Sequence, residues 1–271
     1  GLVRWTYTNP QLIWIGVTST DWQDPTNWST TGPPGPPDLT TDVTIASGTP
    51  FQPILTADAN VSDFTMAAGS TLAMGAYNMN LTGKFSNSGT FTSTGTITML
   101  ATTGIITVDP GGSPFYNLVI AGSANFKSGN SIPITNDFTI NNGKTFTVAN
   151  STHTITIGGN WNSTGATFTH GNGKVIFNKN SGACSLTTGT SGAGGVTFFD
   201  LSVIQAIASP VSIKTQTLTG NLTVAGTFLV SSSKCVFSCG TGNTVNLNGT
   251  LTYGSGATLA GGSSTLNVKG N

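Results

Sequence analysis

Nine aspartates, two histidines and three cysteines carry most of the acid–base and nucleophilic chemistry open to this chain of 271 residues, which contains no glutamate at all. Glycoside hydrolysis needs two carboxyl groups held about 5 to 10 Å apart. Asp58, Asp63, Asp109, Asp137 and Asp200 are instead scattered singly, and the only arginine, Arg4, lies far from them in sequence. Asp137 and Asp200 each open a strand-like phrase, where an Asp side chain ordinarily accepts hydrogen bonds from nearby backbone. No catalytic residue is assigned, and the chain reads as a non-enzyme.

The densest acidic group is Asp21, Asp24, Asp38 and Asp42. Hard carboxylate oxygens of this kind are weak candidates for a Ca²⁺ site. Their spacing fits neither an EF-hand nor the Gly-Gly-x-Gly-x-Asp calcium repeat, and Asp24-Pro25 reads as a turn, so no metal or other cofactor is called for. His153 and His170 stand apart from any Cys or carboxylate at ligand spacing and read as exposed polar positions. Cys235 and Cys239 lie about 13 Å apart along an extended strand, too far for a disulfide unless a corner folds between them. Cys184 and one of these two read as small core residues, with a bridge between subunits as the lesser reading.

Charge narrows the partners. Nine basic and nine acidic side chains give a net charge of zero, so no basic face exists to neutralise nucleic acid or anionic lipid. A neutral surface favours association between copies. The most apolar run, Leu12-Ile-Trp-Ile15, is far shorter than the roughly 18 residues of a spanning helix.

What positions these residues is a repeat. Asp63-Phe-Thr-Met-Ala-Ala-Gly-Ser-Thr-Leu-Ala-Met74 returns as Asp137-Phe-Thr-Ile-Asn-Asn-Gly-Lys-Thr-Phe-Thr-Val148, and again in weaker form from Asn221 to Val230. Phe115-Tyr-Asn-Leu-Val-Ile120 likewise returns as Phe198-Phe-Asp-Leu-Ser-Val203. Runs such as Thr96-Ile-Thr-Met99 and Thr154-Ile-Thr-Ile157 alternate with period two, one face apolar and one polar, and end at Gly, Asn or Ser. Charged residues are 7% of the chain against 37% hydrophobic, a composition for strands and not for salt-bridged helices. Apolar anchors at Val43, Phe64, Leu81, Ile97, Leu118, Phe138, Ile157, Ile176, Leu201, Leu222, Val245 and Leu266 recur about every twenty residues, the length of one coil of a solenoid. Repeats of this kind stack because one unit cannot bury its own apolar face. The expected fold is all-β, a right-handed parallel β-helix of about twelve coils and roughly 50 to 60 Å length. Thr-x-Thr phrases invite an ice-ordering face, but they fall at different phases of the coil, and Thr as a general strand former accounts for them.

Two units are expected. Residues 1–42 hold four of the five tryptophans and the stretch Gly32-Pro-Pro-Gly-Pro-Pro37, and serve either as a cap over the core or as strands offered to a neighbouring subunit. Residues 43–271 are the repeats. Ser264-Thr-Leu-Asn-Val-Lys-Gly-Asn271 finishes on a strand, so that either more coils follow or another copy docks there. Trp5, Tyr7, Leu12 and Trp14 at one end, with Leu266 and Val268 at the other, are the candidate assembly residues.

Trp14-Ile-Gly16, the stretch Ser19-Thr-Asp-Trp-Gln-Asp-Pro-Thr-Asn-Trp-Ser29, and the Asn-Leu-Thr-Val and Phe-Tyr-Asn-Leu-Val-Ile phrases resemble the repeats of secreted bacterial surface proteins in the style of filamentous-haemagglutinin adhesins. The resemblance implies a parallel β-helix at the cell surface or outside the cell, without a catalytic motif. The opening Gly1 fits a removed leader or a segment of a longer protein. The function expected is a structural subunit stacking head to tail with itself into a fibre. The alternative is an adhesin stalk whose exposed aromatics, Tyr77 and Tyr116 among them, contact glycans, and a more remote one is a polysaccharide-cleaving β-helix enzyme.

Overall fold

The computed structural model describes residues 9–29, 35–189, 196–205, 212–231 and 233–270. Among them the chain is built of short strands, with a single 3₁₀ turn at Pro25–Asn27 and no helix long and apolar enough to cross a membrane. Strand pairing is parallel throughout; the one antiparallel bridge joins Trp14 to Trp28. The architecture is a parallel β-solenoid.

Each turn of the solenoid lays down three strands on three faces. The first face is an eight-stranded sheet from Gln11–Trp14 to Thr167–Thr169, followed by a four-stranded sheet from Val196–Phe198 to Thr265–Val268. The second is a ten-stranded sheet from Ala59–Val61 to Thr258–Ala260. The third begins with the pair Thr71–Gly75 and Thr90–Ser93 and continues as a six-stranded sheet from Ile132–Ile134 to Leu251–Tyr253. The longest single sheet has ten strands, about ten turns, while the two sheets of the first face carry twelve strands in all.

The expected anchors nevertheless do not all fall in one row, and the reason is physical. All three faces carry the same apolar–polar alternation, so an anchor on one face is indistinguishable in sequence from an anchor on another. Phe64 is stacked on Phe85, whereas Leu81 belongs to the second face, beneath Met99. Ile176 points outward between the buried Val175 and Phe177. Ile97, Leu118 and Phe138 do form one row, and so do Leu222, Val245 and Leu266.

Inward side chains from all three faces meet in one continuous core in which aromatic rings pack from coil to coil, Phe64 and Phe85 at 5.1 Å and Phe138 and Trp161 at 5.0 Å between centroids, and across faces of one turn, Phe228 and Phe237 at 5.0 Å. Close coil spacing sets the corner residues. A Cβ at Gly95 would lie 1.9 Å from the carbonyl oxygen of Tyr77 in the coil below, so no other residue fits there. The strand Gln11–Trp14 pairs in register with Asp42–Ile45, and Trp14, Trp22 and Trp28 are buried in the same core, with Trp28 edge-on to both of the others. The described part of residues 1–42 therefore shares sheet and core with the repeats.

Candidate functional site

The aspartates of the repeated phrases are structural acceptors whose donors lie one coil away, not in the nearby backbone. The Asn78 amide donates to Asp58 Oδ1 at 2.8 Å, Lys84 to Asp63 Oδ1 at 2.9 Å, Asn160 to Asp137 Oδ1 at 2.7 Å and Thr227 to Asp200 Oδ1 at 2.6 Å. Asparagines do the same at corners before the first and second faces: the Asp137 amide donates to Asn117 Oδ1, Ser185 to Asn160 Oδ1 and Thr244 to Asn221 Oδ1. A corner leaves backbone N–H groups without a ladder partner, and an Asx side chain from the preceding coil satisfies one of them per turn.

The four weak calcium candidates are likewise engaged by neighbours. Asp21 Oδ1 accepts from the Gln23 amide and the Thr56 hydroxyl, and Asp42 Oδ1 from the Asp63 amide and Asn9 Nδ2. Asp24 caps the 3₁₀ turn, and its hydrogen bonds from the Thr26 hydroxyl and amide hold its carboxyl below the ordinary value. Asp38 is lowered by the same pair of bonds from Thr40. Among the described residues no three His, Cys or Asp side chains converge as metal ligands. His153, half-buried and not exposed, bonds Ser128 Oγ through Nδ1 at 2.8 Å and Asn150 through Nε2 at 3.0 Å. His170 Nδ1 accepts from the Asn172 amide. Thr145 and Thr147 stack on Thr167 and Thr169, but the coil before them presents Asn125 and Lys127, so the Thr array spans two coils there.

One corner departs from the repeat. Residues 158–160 join inward Ile157 on the third face to inward Trp161 on the second, whereas the corresponding stretches one and two turns later run 178–185 and 204–217. The surplus lengthens the strands Gly182–Gly189 and Lys214–Gly220 at their starts. Two added rows of inward positions result, Gly182–Lys214–Cys235 and Cys184–Gln216–Phe237. Lys214 and Gln216 are wholly enclosed. Lys214 Nζ donates to the carbonyl oxygens of Phe177 at 2.5 Å and Ile204 at 3.0 Å. Burial pulls its pKa down to about 8, against a smaller upward pull from Cys184 and Cys235. Both side-chain polar atoms of Gln216 lack a hydrogen-bond partner. Burial raises the Cys184 thiol above its ordinary pKa, opposed by Lys179 and Lys214 nearby. All three cysteines are buried and outside any disulfide. Sequence reasoning passed over this cluster, although Lys214-Thr-Gln-Thr-Leu218 places Lys214 and Gln216 in the same phase as the apolar Leu218.

Outside the widened corner, Asn178–Ser181 and Lys179 border an open cleft of about 490 Å³ with Tyr116, Pro133, Asn136 and Thr156 on its other side. Tyr77, the other candidate glycan contact, is 39% exposed elsewhere on the surface.

The candidate assembly residues divide. Trp5 and Tyr7 lie outside the described residues. Leu12 and Trp14 point into the core. The groups of Ile13 that face away from the next strand are taken by residues of the same chain: its amide donates to Ser29 Oγ and its carbonyl accepts from the Ser29 amide. Leu266 and Val268, in contrast, are 36% and 48% exposed, and Tyr253 on the third face of the same turn 48%. The strands Leu251–Tyr253, Thr258–Ala260 and Thr265–Val268 are the last on their sheets, each with one edge not paired to a strand.

No family profile, no curated protein and no solved structure matches this chain.

Proposed function

We propose that this protein is a non-catalytic, extracellular structural rod that lengthens by adding coils at the Leu251–Val268 turn, the added coils belonging to a second copy or to the same chain. The observation that carries this reading is the last turn itself: three strand edges and the inward-row side chains of Tyr253, Leu266 and Val268 are left uncovered together. Strand addition there satisfies main-chain groups, extends the apolar core and covers both at once. The Asn ladder favours a register, because Asn267 Nδ2 already donates to Asn246 Oδ1 at 2.8 Å and leaves its own carbonyl to the next coil. A copy arriving head to tail at the strand Gln11–Trp14 must displace residues 27–29 from its outer edge. Electron microscopy of the purified 271-residue chain tests the self-joining form: end-joined rods are expected, and Leu266→Lys with Val268→Lys should return them to single rods of unchanged fold. Single rods at every concentration of the unaltered chain would refute joining between copies.

The cleft beside Tyr116 favours a second reading, an adhesin stalk that contacts glycans. Its aromatic ring, amides and hydroxyls are the groups that recognise a sugar. Glycan-array binding lost on Tyr116→Ala, without loss of fold, would establish it.

A further inference from the structure

We propose that Cys184 and Gln216 are joined in the folded protein by a thioester, formed between the cysteine Sγ and the glutamine Cδ with loss of ammonia. The two residues are register partners on neighbouring strands of the second face, 4% and 0% exposed, one directly above the other at the spacing of adjacent strands. Gln216 is the only described residue with a buried side-chain amide whose nitrogen and oxygen both lack a partner. Such groups ordinarily find one, and an amide left without is a source of strain in the core. Converting it removes two orphaned N–H donors and leaves a carbonyl that is a weaker acceptor.

The machinery for the proton lies beside it. Lys214 is two residues before Gln216 on the same strand and faces the same interior, and its two carbonyl acceptors, Phe177 O and Ile204 O, match the two hydrogens of a neutral amine. The lone pair of that amine accepts the thiol proton while Sγ adds to Cδ. The same proton then passes to the departing nitrogen as the C–N bond breaks. Thiol plus carboxamide gives thioester plus ammonia, with no oxidant or reductant required. The lowered pKa of Lys214 is consistent with a neutral amine in mildly basic solution, and the second amine beside the thiol, Lys179, borders the open cleft. A small primary amine entering from that cleft would attack Cδ, form a substituted amide and return the Cys184 thiol. The ligand class is therefore a primary amine, captured covalently.

The test is the intact mass of the whole 271-residue chain under acid-denaturing conditions. The expected mass is one ammonia below that of the sequence, with two of the three cysteines titratable in denaturant. Incubation with methylamine should replace the missing ammonia by one methylamine and expose the third thiol. Cys184→Ala should abolish both the mass loss and the methylamine adduct, and circular dichroism would show whether the solenoid persists. A full sequence mass with three titratable thiols would overturn the proposal. So would an ammonia loss that survives in Cys184→Ala, which would place it at an Asn-Gly succinimide such as Asn142-Gly143.

Discussion

The first and last turns of the described stack are made from the same strand-and-corner unit and present opposite surfaces. At the first, residues 27–29 return across the strand Gln11–Trp14: Asn27 O accepts from the Ile15 and Gly16 amides, Ser29 takes both outward groups of Ile13, and the Trp14, Trp22 and Trp28 rings pack at 4.7 to 6.4 Å. At the last, nothing among the described residues lies over the strand Thr265–Val268. A parallel solenoid has no intrinsic means of finishing an edge, so each end needs chain from outside the repeat or another body to cover it. The difference teaches that closure here comes from a short irregular segment rich in Trp and Asn, and that coils alone leave their core visible.

Breaking the covered turn should have the largest effect. Trp22 is fully buried and edge-on to Trp28 at 4.7 Å, so Trp22→Ala should lower stability by about 3–5 kcal/mol in denaturant titration. A loss below about 1 kcal/mol would mean that this cluster is ornamental to the first turn. Next is Asn27, wholly buried, whose Oδ1 accepts from the Thr18 and Ser19 amides and whose Nδ2 donates to Ser19 Oγ and Asp21 O. Asn27→Ala orphans that set and should cost about 2–3 kcal/mol by the same measurement.

The widened corner supplies a third term for the comparison, an irregularity inside the stack. Because the folded pKa of Lys214 is lowered to about 8 from 10.5, the unfolded chain binds more protons between those values. Stability contributed by this site should therefore rise with pH across that window, by about 3 kcal/mol, and stay at its lower level below pH of about 8. Lys214→Met should flatten the slope; an unchanged slope would assign it to other groups. The smallest effect belongs to the open turn. Leu266→Lys with Val268→Lys should change the unfolding free energy of the single rod by less than about 0.5 kcal/mol, since both side chains already meet solvent. A larger loss would show that they pack in solution, and would remove the contrast between the two ends.

Much of this was legible in the chain. Period-two alternation with Gly and Asn punctuation gave strands, and the returning Asp-Phe-Thr phrase gave stacking. The phrase also marked a real device, because its Asp63 and Asp137 side chains each reach the next coil's backbone at a corner. What could not be read was which face a strand occupies, since Val61, Phe64 and Leu72 stand on three different faces with one alternation pattern. The placing of all the anchors in one row and the orientation of Ile176 went astray for that reason. The polar interior was missed because the surplus in residues 178–185 and 204–217 resembles a surface loop insertion, while the structure spends part of it on longer strands facing inward.

The sequence by itself determined the class of structure, because burying one face of many short alternating strands leaves few solutions besides stacking them. Only the tertiary structure decided which coil lies on which, and so which side chains meet. Cys184 and Gln216 are far apart along the chain, and it is the accumulated lengths of the corners between them that bring one over the other.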